Sequence, residues 1–449
     1  MSSTVAIIGA GPIGLAAAAY LVKRGLKPVI LEQGPSVGSS LRSWSHVRVF
    51  TPWSLNIDGA ARELLMQRGW EEPEPDDLPT GADLVDRYLE PLARHPAIAE
   101  GLLLNAKVIA VARTDTDKLG DRRKGTSFTV RWVDGEGCQN DVKAKAVIDA
   151  SGTWGHPNPM GRNGLSILGE DELGDSILYG IPDIAGKLAD EFAGKRTLVV
   201  GGGHSAINAV LDLVRLKDRD PATEVLWGLR RSGVDRLVGG GLNDALPGRG
   251  SLGLAAQREI DAGQVTLLAP FVAGSVSRKD GAVHVSASSP GGRTPLVVDR
   301  IVVATGSRPD FGFLRELRIS IDAAVEAPPA LAPLIDPNVH SCGTVSPHGA
   351  VELAHPESDF YIVGSKSYGR APTFLMATGY EQVRSVVAEI AGDHIAAREV
   401  RLILPETGVC GSTASAKASS GCCAPPPPAE RAVGACCGVT ASTEEPTSA

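Results

Sequence analysis

The sequence lacks the features of a nucleic-acid-binding protein. Aromatic residues make up 4% of its 449 positions, the formal net charge is −8, and no run of Lys or Arg is interleaved with aromatics. Proteins that bind nucleic acids usually present a basic surface. The composition therefore argues against that class of partner, and we expect small-molecule partners instead.

Long uninterrupted apolar segments are also missing. A membrane-spanning helix needs about 18 consecutive apolar residues. The most apolar stretch, residues 6–21, is interrupted by Gly9, Gly11 and Gly14, and no basic segment of the kind that opens a secretory signal precedes it. These absences predict a cytoplasmic protein with no membrane segment.

Cysteines are few and unevenly placed. The chain has seven, five of them between residues 410 and 437, and no pair with CxxC spacing. Without a secretory signal, an extracellular disulfide framework is not expected.

What the sequence does contain is the same plan twice. Residues 5–31, VAIIGAGPIGLAAAAYLVKRGLKPVIL, comprise an apolar segment, a glycine turn, an Ala- and Leu-rich segment and a second apolar segment. That order predicts a strand, a helix and a parallel strand. Residues 197–229 repeat it around GGGHSA.

The similarity extends beyond these βαβ units. Each copy later contains alternating segments around an Asp-Gly pair, at Asp134-Gly135 and at Asp280-Gly281, which predicts a β-hairpin. Each then ends in an apolar segment that runs into a glycine, Gly152 or Gly306. We therefore predict an α/β protein with two Rossmann-like domains, the second inserted into the first.

Four segments follow from this order. The segments near residues 150–155 and 300–307 are expected to be the hinge. After about residue 404 the chain becomes rich in Ser, Ala, Gly, Pro and Cys, a composition that predicts a disordered tail. The predicted segments are residues 1–153 (first domain, first part), 154–300 (inserted domain), 301–404 (first domain, second part) and 405–449 (tail).

The first glycine turn predicts a dinucleotide site. In such a turn Gly9 permits a tight bend, Gly11 lets the backbone approach a pyrophosphate, and Gly14 lets the helix pack on the strand. Glu32 ends the second strand, where a carboxylate accepts the hydroxyls of a ribose that has no 2′-phosphate. FAD meets that requirement.

The second glycine turn predicts a different nucleotide. Its candidate binding residues are Gly201, Gly203, Ser205 and Ala206, and its second strand ends near two arginines, Arg230 and Arg231, with no acid available. Guanidinium groups at this place suit the 2′-phosphate of NADPH. The alternative is that both arginines belong to an ordinary solvated surface.

These motifs, together with Ala304-Thr305-Gly306 and DFYIVG ending at Gly364, resemble the superfamily of flavin-dependent monooxygenases and pyridine nucleotide-disulphide reductases. The resemblance implies FAD and NADPH as cofactors, with Gly152, Gly306 and Gly364 at the nucleotide sites. Ser365 replaces the acid that commonly binds the ribityl chain of the flavin.

Within that superfamily, the segment after Glu32 favours the monooxygenases, since the cysteine pair of the disulphide reductases is missing. The resemblance implies that Trp44 covers the flavin ring and that Asn56, the candidate catalytic residue, lies near the oxygen-reactive carbon. Plain core packing is the alternative for Trp44. The expected function is NADPH-dependent oxygenation of a soft nucleophile. The alternative is an NADPH-dependent reductase or diaphorase acting on a metalloid, a quinone or a protein.

The cysteine-rich tail adds a third hypothesis. Residues 239–250, residues 367–385 and the tail resemble the flavoprotein monooxygenases of arsenic-resistance operons. The vicinal pairs Cys422-Cys423 and Cys436-Cys437 offer soft thiolates, which suit soft metals and thiophilic metalloids. The tail is otherwise a low-complexity extension with incidental thiols. The third hypothesis is a metal- or metalloid-binding protein that acts through this tail.

Overall fold

The computed structural model describes residues 3–231, 244, 246–289, 292–338, 348–372 and 374–402. In chain order, the strands are β1 (Thr4–Ile8), β2 (Lys27–Leu31), β3 (Leu102–Leu103), β4 (Lys107–Arg113), β5 (Phe128–Val133), β6 (Gln139–Ala144), β7 (Ala146–Asp149), β8 (Ile177–Tyr179), β9 (Arg196–Val200), β10 (Glu224–Gly228), β11 (Thr266–Leu268), β12 (Val272–Lys279), β13 (Ala282–Ser289), β14 (Gly292–Val298), β15 (Arg300–Val303) and β16 (Phe360–Ile362).

The helices are short, apart from four of twelve to fifteen residues. Within the described ranges, none is both long and apolar enough to cross a membrane. The helices are α1 (Pro12–Lys23), α2 (Ser39–Arg42), α3 (Trp53–Asn56), α4 (Gly59–Met66), α5 (Gly81–Leu84), α6 (Glu90–Ala93), α7 (Pro96–Ala99), α8 (Ala189–Phe192), α9 (His204–Leu216), α10 (Pro247–Asp261), α11 (Ala332–Ile335), α12 (Met376–Ile390) and α13 (His394–Arg398).

The first domain is built on a parallel sheet with the order β16-β7-β1-β2-β3. Its strands are apolar because both faces are covered. On one face, the alanines of α1 pack with α12, and on the other, β4, β5 and β6 form an antiparallel sheet. The carboxyl ends of β1, β7 and β16 therefore meet at one edge, beside the start of α1.

The inserted domain repeats this plan, which confirms the predicted fold class. Its parallel sheet has the order β8-β15-β9-β10-β11, so that β9 and β10 take the places of β1 and β2. A second antiparallel sheet, β12-β13-β14, covers one face. The outermost strand of this domain, β8, comes first in the chain, whereas its counterpart β16 comes last.

Both predicted hairpins are present. In the first, the N–H of Asp134 donates to the carbonyl of Cys138 between the paired strands β5 and β6. In the second, Asp280 and Gly281 have φ angles of +51° and +83° between β12 and β13. Two successive positive φ angles are what a tight hairpin turn requires.

One predicted boundary differs from the structure. Strand β15 pairs with β8 and β9, so it belongs to the inserted domain, whereas a boundary after residue 300 assigned most of it to the first. An apolar strand is equally suited to either sheet, and hydrophobicity alone does not tell which. The two crossing segments lie side by side, since the N–H of Asn158 donates to the carbonyl of Gly306 and the N–H of Arg308 to that of His156.

Candidate functional site

The first glycine turn has the geometry expected of a nucleotide-binding loop. Gly9 has φ +98°, and a Cβ there would lie 2.7 Å from the carbonyl oxygen of Ala150. A Cβ on Gly14 would lie 2.0 Å from the carbonyl oxygen of Gly9. Gly11 instead faces open space, with no atom within 4 Å of its Cβ position. The turn is thus closed on its protein side and open at Gly11, where a pyrophosphate would approach α1.

Glu32 is held in place beside this turn. Its carboxylate accepts the N–H of Ala10 at 2.7 Å and the N–H of Gly34 at 2.8 Å. The side chain is buried but lines the same cleft as Gly11. Each oxygen keeps a second lone pair, so the residue fits the predicted ribose contact.

A cleft of about 700 Å³ connects these residues with the carboxyl ends of β7 and β16. Its volume lies in the range typical of small-molecule and cofactor sites. Its lining includes the charged residues Glu32 and Lys107 as well as apolar residues such as Met376. Six predicted cofactor-binding residues line it: Gly9, Gly11, Glu32, Trp44, Gly152 and Gly364.

Two tryptophans form the aromatic part of the wall. Trp44 and Trp154 both line the cleft, with ring centroids 6.2 Å apart and planes inclined by 55°. Trp154 also contacts the inserted domain, since its ring edge lies 3.0 Å from where a Cβ of Gly180 would be. Trp44 is therefore a wall residue of the cleft, and its contact with the flavin ring stays a prediction. Trp154 was not predicted, since no local motif marks it.

The loop after β16 is shaped by a buried amide. Gly364 has φ +71°, and its N–H donates to Oε1 of Gln382 at 2.7 Å. The Nε2 of Gln382 lies 2.8 Å from Nε2 of His348 and 2.9 Å from Oγ of Ser367. Gln382 was not predicted, because its partners lie in distant segments of the chain.

Beneath this loop lies a charged pair that the sequence does not reveal. The Nζ of Lys366 lies 2.7 Å from Oδ2 of Asp149, and both side chains are fully buried. The same Nζ lies 3.1 Å from the hydroxyl of Ser151, which lines the cleft. Asp149 and Lys366 are 217 positions apart in the chain, so no local pattern joins them.

The catalytic role of Asn56 stays a prediction. Its side chain is buried, its Nδ2 donates to the carbonyl of Thr51 at 2.7 Å, and its Oδ1 accepts the hydroxyl of the same threonine at 2.8 Å. Its carbonyl accepts the hydroxyl of Tyr380. Asn56 is not among the described residues that line the cleft, so its contacts indicate a structural role and give its catalytic role no support.

The second glycine turn is closed at its first glycine, as the first turn is, and open at its third glycine. Gly201 has φ +146°, and a Cβ there would lie 2.2 Å from the carbonyl oxygen of Ala304. Gly203 has no atom within 4 Å of its Cβ position. Ala206 is fully buried against the sheet, whereas Ser205 is half-buried. Gly306, with φ +86°, follows β15 beside this turn.

The role of Arg230 and Arg231 in binding NADPH stays a prediction. Both follow the carboxyl end of β10, and both are exposed. His204, at the start of α9, is largely enclosed instead, and its ring lies 5.0 Å from that of Phe50 in the first domain. Burial, with the nearby Arg249 guanidinium, lowers the pKa of His204 below its usual value. A neutral imidazole adds no positive charge for a phosphate, so the arginines remain the candidates.

The four cysteines predicted to bind a metal or metalloid, Cys422, Cys423, Cys436 and Cys437, lie outside the described residues. Among the residues that the structure does describe, no group of three or more His, Cys, Asp or Glu side chains is arranged to hold a metal ion.

Comparison with known proteins shows which proteins this chain resembles. The model of the family described as pyridine nucleotide-disulphide oxidoreductase matches residues 6–222. Indole-3-pyruvate monooxygenase YUCCA1 of Oryza sativa subsp. japonica is 29% identical over 211 residues, 46% of this chain and 44% of that protein. Senecionine N-oxygenase of Tyria jacobaeae is 25% identical over 235 residues, 49% of this chain and 46% of that protein. The chain thus spans less than half the length of these curated relatives.

The fold is similar to that of a solved structure over nearly its whole length. Bacillithiol disulfide reductase Bdr (YpdA) from Bacillus cereus superposes with a TM-score of 0.66 at 17% identity, covering 87% of this chain and 99% of that one. At this identity, the likeness concerns the fold alone. The family match, the two relatives and the paired dinucleotide-binding domains make this chain similar to the flavin-dependent monooxygenases and pyridine nucleotide-disulphide oxidoreductases, which use FAD and NADPH.

Proposed function

We propose that this chain is an FAD-dependent, NADPH-consuming monooxygenase that oxygenates a soft nucleophile. The observation that carries the proposal is the wall of the cleft. It has the turn, acid and aromatic residues that FAD needs, and none of the described residues that line it is a cysteine. A disulphide reductase needs a thiol at this place to receive electrons, whereas a monooxygenase does not.

Different residues of the cleft bind different parts of FAD. Glu32 accepts the hydroxyls of the adenosine ribose, and the start of α1, open at Gly11, receives the diphosphate. FAD supplies the redox chemistry, because it takes a hydride from NADPH and, once reduced, reacts with oxygen.

The aromatic wall shields from water the part of the cleft that we assign to the flavin ring. Trp44 and Trp154 present apolar faces that exclude water from the reacting centre. Because Trp154 also packs against Gly180, the wall includes a contact with the inserted domain, which would bring NADPH. We propose that Arg230 and Arg231 bind the 2′-phosphate of NADPH and thereby distinguish it from NADH.

The reaction is balanced by one NADPH, one proton and one O₂. One oxygen atom bonds to the lone pair of the substrate, the other leaves as water, and NADPH becomes NADP⁺. We propose a trivalent arsenical as the substrate, because the sequence resembles monooxygenases of arsenic-resistance operons and the As(III) lone pair is a soft nucleophile. The monooxygenase and N-oxygenase names of the two relatives agree with the reaction class.

Stoichiometry tests the reaction class. Purified holoprotein is given NADPH, oxygen labelled with ¹⁸O and a series of soft nucleophiles that begins with arsenite and methylarsenite. A monooxygenase consumes NADPH and O₂ in equal amounts, releases little peroxide with a true substrate, and places one labelled atom in the product. NADPH oxidation with full release of peroxide for every compound, together with turnover of a quinone or metalloid acceptor without oxygen, would establish the reductase alternative.

A further inference from the structure

The cleft wall between the glycine turn and the aromatic wall contains an unusual polar group. The hydroxyl of Ser151 lies 2.6 Å from Oδ1 of Asp149, to which it donates, and it accepts a hydrogen bond from Nζ of Lys366 at 3.1 Å. The N–H of Ser151 donates to the same carboxylate oxygen. Three hydrogen bonds thus fix one serine that is itself exposed to the cleft.

Burying the Asp149–Lys366 pair beneath this serine costs free energy, so stability alone does not account for the pair. Removing two charges from water is unfavourable, and apolar residues often replace such a pair without loss of stability. The ammonium of Lys366 also lies 4.4 Å from the ring centroid of Phe313, which lines the cleft. The pair is therefore packed directly behind the cleft wall, where its effect on a bound molecule passes through Ser151.

The position of Ser151 along the cleft identifies the part of FAD that it faces. A Cβ on Gly9 would lie 3.1 Å from Cα of Ser151, so the serine adjoins the turn that receives the diphosphate. A Cβ on the next residue, Gly152, would lie 3.7 Å from the hydroxyl of Ser365. Trp44 and Met376 line the same cleft, and we assign them to the part that receives the flavin ring. What joins the diphosphate to the ring in FAD is the ribityl chain, which carries three hydroxyl groups.

We propose that Ser151, oriented by the buried Asp149–Lys366 pair, binds the ribityl hydroxyls of FAD. Ser151 would replace the acid that commonly binds the ribityl chain after β16, a position that Ser365 occupies in this sequence. Because the Ser151 proton is committed to Asp149, its oxygen presents an acceptor to a ribityl hydroxyl. Asp149 and Lys366 are positioning residues that act through it. This inference rests on FAD as the cofactor and not on the oxygenation that we propose for the site.

The test compares FAD with ADP, which has the adenosine and diphosphate but no ribityl chain. Bound flavin is removed from the full-length protein. The Kd of FAD is measured by titration, and the Kd of ADP by its competition with FAD, so that ADP bound in the inserted domain is not counted. Ser151→Ala should raise the Kd for FAD about tenfold, as expected for one lost hydrogen bond in a charged network. It should leave the Kd for ADP unchanged, a result that general damage to the domain would not give.

The inserted domain supplies a matched control. Thr305 occupies the position equivalent to Ser151, and its hydroxyl donates to the carbonyl of Asn158 at 2.7 Å. Thr305→Ala should leave the Kd for both FAD and ADP unchanged. The pair is tested by Asp149→Asn combined with Lys366→Met, which leaves no unpaired buried charge and should weaken FAD without weakening ADP.

An unchanged Kd for FAD in Ser151→Ala, or an equal loss of FAD and ADP affinity, would overturn the inference. An unchanged Kd for FAD in the double variant would overturn the role of the pair. A wild-type protein that binds ADP but not FAD would overturn both the inference and the proposed function. Normal FAD binding without oxygenation of any substrate would overturn only the proposed function.

Discussion

Gly11 and Gly14 stand three positions apart and are required for different physical reasons. Gly11 has ordinary extended backbone, and its Cβ position opens into the cleft. Gly14 is enclosed, since a Cβ would lie 2.0 Å from the carbonyl oxygen of Gly9. We predict that Gly11→Val abolishes FAD retention but leaves the stability of the flavin-free protein within about 0.5 kcal/mol, as at other open positions.

Gly14→Ala should behave in the opposite way. The helix must move away from the strand, which typically costs about 1–3 kcal/mol for an overpacked site. The ratio of flavin to protein absorbance measures retention, and thermal or urea unfolding of the flavin-free protein measures stability. Equal destabilisation by both substitutions would contradict this account of the turn.

Asp58 makes a pH prediction possible. Burial raises the pKa of its carboxyl from 3.8 to about 6, against the opposing hydrogen bond from the N–H of Ala61. Since the pKa is higher in the folded state, the folded protein takes up the proton first as the pH falls. The contribution of Asp58 to the free energy of unfolding therefore decreases as the pH rises from about 4 to about 6, and stays low above that.

Asp58→Asn should remove this dependence. The amide oxygen still accepts the Ala61 N–H at the start of α4, and no charge is buried. Two pKa units correspond to about 3 kcal/mol, so the variant should gain up to about that amount at pH 7 and little at pH 4. Urea unfolding at several pH values measures it. Asp76→Asn, at an exposed position, is the control and should leave the profile unchanged.

At the scale of elements, the sequence alone predicted the turns and hairpins whose contacts are local. The turns at Gly9 and Gly201 and the hairpins at Asp134 and Asp280 were all predicted, because each depends on residues within a few positions of one another. Contacts between distant segments were not. Asp149 meets Lys366 across 217 positions, and hydrophobicity could not show which sheet β15 would join.

The contrast between Glu32 and Asn56 shows the same limit. For Glu32, the end of a strand beside a glycine turn fixes the position of the carboxylate, and the cleft contains it. Asn56 was assigned from a resemblance between loops, and a loop does not determine where its side chains point. In the structure, the Asn56 side chain is hydrogen-bonded to Thr51, and it is not among the described residues that line the cleft.

The end of β10 gives a prediction about coenzyme choice. If Arg230 and Arg231 bind the 2′-phosphate, replacing both with alanine removes charge-assisted hydrogen bonds, each of which contributes roughly 1.5–3 kcal/mol. Together the two arginines would contribute about 3–6 kcal/mol, so the KM for NADPH should rise by about 100-fold or more, whereas the KM for NADH should not change. Steady-state oxidation of each coenzyme measures both constants.

Arg196 is the matched control. It is exposed like the other two, but it begins β9 at the opposite edge of the same sheet. Arg196→Ala should leave both KM values unchanged. An unchanged KM for NADPH in the double variant would mean that Arg230 and Arg231 belong to an ordinary solvated surface.

At the scale of the whole molecule, the two copies of one architecture differ in charge at the ends of their second strands. Both domains have a five-stranded parallel sheet with the same order, covered by helices on one face and by an antiparallel sheet on the other. The second strand of the first βαβ unit ends at the carboxylate of Glu32, whereas that of the inserted domain leads to two guanidinium groups. A carboxylate repels a 2′-phosphate and a guanidinium binds it, so we propose that this difference directs FAD to the first domain and NADPH to the inserted one.

The last prediction separates the enzyme from its tail. The described residues that line the cleft all precede residue 403, whereas Cys422, Cys423, Cys436 and Cys437 lie outside the described residues. If catalysis does not require the tail, deletion of residues 413–449 should leave the flavin content and the rate of NADPH oxidation within about twofold. If paired thiolates bind trivalent arsenic, the deletion should abolish tight binding of arsenite.

A full-length variant with all four cysteines replaced by serine distinguishes thiol chemistry from the mere presence of the segment. It should lose arsenite binding as the deletion does, because the hydroxyl of serine is a poor ligand for a soft metalloid. Equilibrium dialysis with arsenite under reducing conditions measures binding, and the flavin spectrum reports the state of the cleft. Retention of arsenite by both variants would locate the binding outside these cysteines. Loss of flavin in the deletion alone would mean that the tail contributes to the cofactor site through something other than its thiols.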